Sequence, residues 1–559
     1  MAKDDGKVKG FANEFGFGPS DHPEVKPQPL RLLAVSQFAG ANRDATPRAI
    51  DAHDFDRVLA ALKPALWLTV PNLLGSREKT LDLELRFAAL ADFEPMRVAA
   101  ALPALRGAAG LLAALDDLEK GKSAPSQLAA RRAEFGPAPA VLEVLDSVTG
   151  APPAAPAAKG GEGSLDRIFD MVQSKPAAGS AIDAFAAGLG GGSGNRDVAA
   201  PRARLRRLLE QQLAAILGHP EFRELEARWR GLHALCRRQG EARVDVLACP
   251  AGNAAECIRA NARQAYALVL VDAPFANTPA ALDELQALAE LGEELQAPVV
   301  VALGEEFFGM TPAELARHTA PATILDDARF DKWRSLREKE CARWLGCALN
   351  GFLARPPWTA RHNYAEPVRS DADLLWASPV WLVGAAAARS FTQTGWPGAQ
   401  TGVADGEIAQ LPVCARPGDD NQFPLQVVLP DTHLKDLARA GLVPLMCQAN
   451  HDSAWLLLDP VVKRPSRDEE KGKVATISWQ MLAARLGALV LGARATLVAV
   501  NDEGATRANF ERFLHGLLAE TGPGHDVRVA MEGANLRLVL ETGRRLLNGA
   551  RFEFGIPLE

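Results

Sequence analysis

Glu305–Glu306 and Asp326–Asp327 are acidic pairs of the kind that could divide general acid and base duties, and ten histidines could ligate a metal or relay protons. Neighbouring side chains point different ways, however, so an adjacent pair does not converge on one substrate, and we read both pairs as solvated turns. None of the histidines stands at HExxH spacing or beside paired cysteines, as a zinc site would require. His219 and His233 read as helix-end and packing residues. The GGEGS stretch at 160–164 lacks the Lys-Ser/Thr end of a phosphate loop, no GxGxxG follows a strand, and there is no GxSxG. Trp229, Trp333, Trp344, Trp358 and Trp396 could form a stacking set for a ligand, but each lies in an apolar or helical context that makes it a core anchor. Arg230, Arg334, Arg337 and Arg343 read as interior or inter-subunit ion-pair residues, with Glu226 and Glu338 as structural partners. We therefore expect no catalytic residue, no cofactor and no metal.

The seven cysteines (236, 249, 257, 341, 347, 414, 447) contain no CxxC pair and are odd in number, which predicts reduced, structural thiols without disulfides. With 62 basic and 69 acidic residues the net charge is −7, too small and of the wrong sign for a field that would hold nucleic acid. Apolar runs such as 266–271 and 297–303 fall far short of the ~20 residues that cross a bilayer, so no membrane insertion is expected. Residues 1–17 carry Lys3, Asp4, Asp5 and Lys7 without an apolar core, which is not a secretory signal and points to the cytoplasm.

At 559 residues and 48% hydrophobic composition the chain must divide into several folded units of mixed α/β character. Residues 1–27 read as a flexible arm. Residues 28–122 read as a small α/β domain: a strand over Leu30–Phe38, helical spacing at Phe55, Val58, Leu59 and Leu62, a strand over Leu66–Val70, strict alternation at Leu81, Leu83, Leu85 and Phe87, then a Leu/Ala-rich helix. The Pro, Ala and Gly content of 123–163 predicts a linker. Within 164–200, a short amphipathic helix with Leu165, Ile168, Phe169 and Val172 on one stripe precedes a glycine-rich break. Such a helix either packs on its own domain or is bait for a partner's groove, and the pattern alone leaves both open. Residues 201–470 form the larger core, where two helices (202–217 and 220–235) precede strands at 244–247, 267–271 and 299–303 separated by helices, the pattern of a sheet covered on both faces. The Arg202, Arg204, Arg206 and Arg207 run reads as a solvated helix face. Residues 471–559 form a C-terminal α/β region.

Several blocks carry a resemblance. AAILGHPEFRELEARWRGLHAL at 214–235, containing His219, Pro220, Phe222, Glu226, Trp229, Arg230, Gly231 and Leu232, resembles the helix that opens the core of the large contractile-sheath subunit (TssC/VipB-like) of type VI secretion systems. DKWRSLREKECARWLGCALNGFLARPPW at 331–358, containing Trp333, Arg337, Glu338, Arg343, Gly346 and Arg355, resembles a second block of that family downstream. Segments 374–385, 390–396 (SFTQTGW), 411–412 and 441–445 also find counterparts. LRLLAVSQFAG, HDFDRVLAALKPALWLTVPN and the run from Leu81 to Leu118 resemble the small sheath subunit (TssB/VipA-like). The resemblance implies a contractile-tail-sheath-like fold and a structural protomer in which the two subunits are fused. It would polymerise around an Hcp-like inner tube, join baseplate components, contract to propel the tube, and be recycled by a ClpV-like AAA+ unfoldase that grips the 165–172 helix. The family normally uses two chains, its C-terminal helix is faint after Val474, and 527–559 departs from its tail. The alternative is a non-polymerising adaptor or baseplate-associated component of the same system.

Overall fold

The computed structural model describes residues 29–39, 46–75, 78–136, 138–150, 198–250, 252–465, 475–499, 502–518, 525–532, 535–543 and 550–557. Its strands begin with β1 (Arg31–Ser36), β2 (Arg48–Ile50), β3 (Ala65–Pro71) and β4 (Thr80–Arg86). The next are β5 (Arg243–Ala248), β6 (Leu268–Asp272), β7 (Val299–Ala302), β8 (Leu345–Leu349), β9 (Phe352–Leu353) and β10 (Trp376–Ala377). Then come β11 (Glu407–Ile408), β12 (Cys414–Arg416), β13 (Asp419–Phe423), β14 (Leu442–Cys447) and β15 (Ala454–Leu456). β16 (Asp526–Glu532), β17 (Asn535–Glu541) and β18 (Arg551–Pro557) close the chain.

Among the described residues, nine strands form one sheet in the order β11-β15-β14-β8-β7-β6-β1-β5-β2. Its centre, β5-β1-β6-β7-β8-β14, is parallel, and antiparallel strands flank it on both sides. β1 is an interior strand, third from the β2 edge, with Leu32 beside Val244 and Leu268 and Val35 beside Leu247 and Val271. The apolar run RLLAVS suits that place because it is buried on both faces. Leu32 and Ala34 enter one core with Val244, Val246, Leu268 and Leu270, while Leu33 and Val35 enter the opposite core with Leu247, Val269 and Val271. The strand expected over 30–38 is therefore present, but it completes the sheet of the larger unit, and the boundary near residue 122 does not part the sheet.

The rest of the N-terminal segment covers the first face. β3 and β4 pair as a hairpin whose inward residues include Leu66, Leu68, Val70, Leu83 and Leu85. Helices Pro103–Glu119 and Pro139–Thr149 pack against helix Ala199–Leu217. The expected linker over 123–163 needs correction in its first part, where helices Pro125–Ala130 and Pro139–Thr149 are ordered. Val141, Val144, Leu145 and Val148 supply a buried stripe at helical spacing that outweighs the Pro/Ala composition. The Arg202 guanidinium pairs with Asp116 at 2.5 Å and Glu119 at 2.7 Å, and Arg204 pairs with Glu143 at 2.7 Å, so two arginines of the expected solvated face tie these helices together.

The disulfide expectation is also overturned, since Cys249 and Cys257 are joined. Cys249 sits one residue past β5 and Cys257 lies on helix Ala254–Asn261, which folds back over the strand end and brings both into the same apolar core. Cys236, Cys341, Cys347 and Cys447 are buried free thiols.

In the C-terminal region, β16, β17 and β18 form an antiparallel meander. It shares a third core with helices Ile477–Leu497 and Glu503–Leu518. Gly346 lets that region reach the main sheet, because a Cβ there would stand 2.5 Å from Ile477 Cδ1. Buried Asp459 accepts hydrogen bonds from Ser478 N (2.7 Å), Ser478 Oγ (2.5 Å) and Gln400 Nε2 (2.9 Å). Among the described residues no single helix is long and apolar enough to cross a membrane.

Candidate functional site

Helix Pro220–Cys236 joins the N-terminal segment to the core. Pro220 opens it at a position where a missing N–H costs nothing, with His219 extended as the preceding cap residue. Phe222, Leu225, Trp229, Leu232 and Leu235 recur at helical spacing and are buried. Phe222 meets the rings of Phe87 at 5.9 Å and Phe93 at 5.7 Å. Trp229 packs on Phe38 at 5.1 Å and Phe55 at 5.7 Å, and its Nε1 donates to the Phe38 carbonyl at 3.0 Å. His233 lies edge-on to Phe55 at 4.9 Å, and burial followed by the nearby Arg237 charge lowers its pKa. On another side of the helix, Gly231 admits Trp381 so closely that a Cβ would stand 2.3 Å from its Cδ1. The helix is thus clasped between the N-terminal segment and helix Val380–Thr394.

One turn of this helix also carries a buried charge network. Glu226 is fully buried and receives Arg230 Nε at 2.7 Å, Arg355 Nε at 2.7 Å and Arg355 Nη2 at 3.1 Å. Arg355 Nη1 reaches Glu366 at 2.6 Å, and Glu366 also accepts from Trp358 N at 3.0 Å. The Trp358 ring lies 4.4 Å from the Arg355 guanidinium and 5.6 Å from that of Arg230. Burial would raise the Glu226 pKa, but Arg355 and Arg230 more than offset it and hold the carboxyl below its ordinary range. The pairing likewise outweighs burial at Arg355 and raises its pKa. Two carboxylates and two guanidiniums are thus committed to each other. The network is a brace that locks helix 220–236 to the segment after β9.

The second block spreads over another part of the molecule. Trp333 is fully buried and meets Phe307 at 5.2 Å. Arg337 donates to the Val462 carbonyl at 3.1 Å and the Arg439 carbonyl at 3.3 Å, while the Glu338 carboxylate lies 3.5 Å from Arg464. Arg343 pairs with Glu340 at 2.7 Å. The structure brings Glu226, Arg230 and Arg355 together and leaves Trp333, Arg337, Glu338 and Arg343 apart from them. Residues 165, 168, 169 and 172 lie outside the described residues. Sequence reasoning missed Glu366, which closes the network, and Gln212, whose side chain accepts from Leu73 N at 2.8 Å and donates to Pro71 O at 2.9 Å, pinning the hairpin. A buried glutamine in an apolar helical stripe was the only signal for the latter. Among the described residues no group of three or more His, Cys, Asp or Glu could hold a metal ion.

Two family models match the chain. Residues 202–253 and 261–461 match VipB, described as the EvpB tail sheath N-terminal domain. Residues 19–131 match the type VI secretion system family VipA. A curated relative, the type VI secretion system sheath protein TssC1 of Pseudomonas aeruginosa, is 25% identical over 317 residues, covering 50% of this chain and 63% of that protein. The chain thus spans somewhat less than two thirds of that relative's length. Among solved structures, the anti-feeding prophage baseplate aligns with a TM-score of 0.33 at 10% identity, over 58% of this chain and 75% of that one. The contracted helical sheath of the same prophage aligns at 0.31 and 10%, over 58% and 77%. Both likenesses are too distant to bear on function.

Proposed function

We propose that this chain is a fused structural protomer of a contractile sheath, because residues 19–131 match the VipA family model and residues 202–253 and 261–461 match the VipB tail-sheath model. One observation carries the reading: the segment matching VipA supplies β1 to the sheet, between β5 and β6 of the region matching VipB, so the two regions make a single body. Fusion then holds them at one-to-one stoichiometry. The protomer polymerises through repeated heterologous contacts, which propagate into a helix when they do not close. It surrounds an Hcp-like tube, meets baseplate components at one end, and contracts by rigid-body rearrangement between two packings. Its work is mechanical rather than catalytic, and it is done in the cytoplasm. The amphipathic stripe of Leu165, Ile168, Phe169 and Val172 is the segment a ClpV-like AAA+ unfoldase grips for recycling.

Negative-stain electron microscopy of the purified chain, alone and co-expressed with its tube protein, tests this. Hollow striated tubes are expected. Discrete particles under both conditions would favour the second reading, a non-polymerising adaptor, which is supported by the way β16, β17 and β18 pair with one another.

A further inference from the structure

A groove of about 850 Å³ runs between helix Asp331–Glu338, helix Asp431–Arg439 and the segment that follows β15, with Thr476 at the foot of helix Ile477–Leu497. Each of the first two helices turns its apolar side inward, burying Trp333 and Leu336 on one and Leu434, Leu437 and Ala438 on the other. Much of what remains for the groove is basic. Lys435 and Arg439 stand four positions apart, on one stripe of the second helix, and Arg337 comes from the first. In a chain of net charge −7, this lining holds six cations against four carboxylates.

These charges are unequally committed. Arg334 is held by Asp331 and by the carbonyls of Leu325 at 2.8 Å and Asp327 at 2.7 Å, Lys463 pairs with Glu340 at 2.9 Å, and Arg464 faces Glu338 at 3.5 Å. Of the carboxylates, Asp459 is taken by Ser478 and Gln400, and Asp436 accepts from Ala322 N at 3.1 Å. Arg337, Lys435 and Arg439 are in no ion pair among the described residues. The Arg337 guanidinium is fixed on the carbonyls of Val462 and Arg439, and burial lowers its pKa with the Glu338 charge only partly opposing. It is therefore preplaced, partly desolvated and short of a counter-charge. Trp333 is fully buried at the same groove, and its indole N–H has no acceptor among the described residues. Leu458, 44% exposed, adds an apolar contact to the lining.

We propose that this groove docks an acidic segment of another polypeptide, whose carboxylates pair with Arg337, Lys435 and Arg439 and whose apolar side chain lies on Leu458. Charge complementarity decides the class of occupant, because the uncommitted groups here are cations and a hydrogen-bond donor. Three cations from two helices, with an exposed leucine alongside, suit several carboxylates spaced along a chain better than one small anion.

Fluorescence anisotropy of a labelled, end-blocked Asp-Glu-Leu-Asp-Glu peptide titrated with the full chain tests the site, whether or not the chain forms tubes. Saturable binding is expected, weakened about tenfold or more by the exposed double variant Lys435→Gln/Arg439→Gln and about threefold by Leu458→Ser. Arg97→Gln/Lys120→Gln removes the same charge from exposed positions outside the groove and should leave the affinity within about twofold. Equal losses from the two double variants would reduce the binding to general attraction and overturn the proposal, as would no saturation up to about 1 mM. Displacement of the peptide by acetate at equal carboxylate concentration would give the groove to a small anion. About tenfold tighter binding after Asp468→Asn/Glu469→Gln/Glu470→Gln would give it to the chain's own acidic run, and either result overturns a polypeptide partner.

Discussion

Glu226 shows what a single buried charge does for this molecule. It stands between Arg230 and Arg355 with no exposure to water, so its attraction to both must exceed a large desolvation cost. Glu226→Gln leaves the buried Arg355 and the largely buried Arg230 guanidinium short of one negative charge and is expected to destabilise the chain by about 3–5 kcal/mol in denaturant unfolding. Adding Arg355→Met to that variant should recover part of the loss, because the orphaned cation is removed as well. The pH dependence follows from the lowered pKa. The unfolded carboxyl titrates near its ordinary value of 4.5 and the folded one lower, so the stabilisation is complete above 4.5 and is lost as pH falls through the folded value. Unfolding followed between pH 7 and 3 should therefore show a steeper acid slope for the wild type than for Glu226→Gln. An equal slope would mean that Glu226 is not held ionised by its neighbours. Both Glu226 and Arg355 stand in blocks conspicuous in the sequence, but 129 positions separate them, and no local pattern announces that they meet.

At the scale of elements, period and boundary signals were readable wherever one face is buried. β3 and β4 alternate cleanly, and helices Pro220–Cys236 and Pro279–Leu295 follow their apolar stripes. What local pattern could not reveal was partnership. Leu30–Phe38 reads equally well as the first strand of a small domain or an interior strand of a large sheet, since both bury it. Its neighbours, β5 and β6, come more than 200 positions later. Composition misled at 139–149, where the prolines and alanines of the surrounding segment hide four regularly spaced branched residues, and at Cys249 and Cys257, whose meeting depends on a turn and a helix direction. The distinction between strands gives a prediction. Val35 in β1 is 1% exposed and Trp67 in β3 is 57% exposed. Val35→Asp buries a charge without a partner and should cost several kcal/mol or abolish soluble expression, whereas Trp67→Thr should change the unfolding free energy by less than about 0.5 kcal/mol. Similar costs for the two would place β1 outside the buried sheet. Helix packing gives another. Gly231→Ala must push Trp381 or the helix aside and is expected to cost about 1–3 kcal/mol, measured the same way, while Ala227→Gly on the same helix should cost only about 1 kcal/mol through propensity.

For the whole molecule, the question is whether two family regions in one chain behave as two domains or one. The N-terminal segment contributes β1 to the sheet, Phe38 and Phe55 to Trp229, Phe87 and Phe93 to Phe222, and ion-paired helices to Arg202 and Arg204. Those contacts belong to one continuous apolar core that runs from Leu30 through Met481. A protease site placed within residues 151–197 separates the chain covalently between the two family regions without touching any described residue. After cleavage the two pieces should still co-elute on gel filtration, because separating them would strip both neighbours from β1 and expose the Trp229 cluster to water. They should part only in denaturant. Covalent connection acts by keeping the partners at an effective concentration in the millimolar range, so the cleaved form should refold more slowly on dilution while the intact form refolds independently of concentration. Pieces that separate under native conditions would mean that the shared sheet is weaker than its burial implies, and that fusion, rather than β1, holds the protomer together.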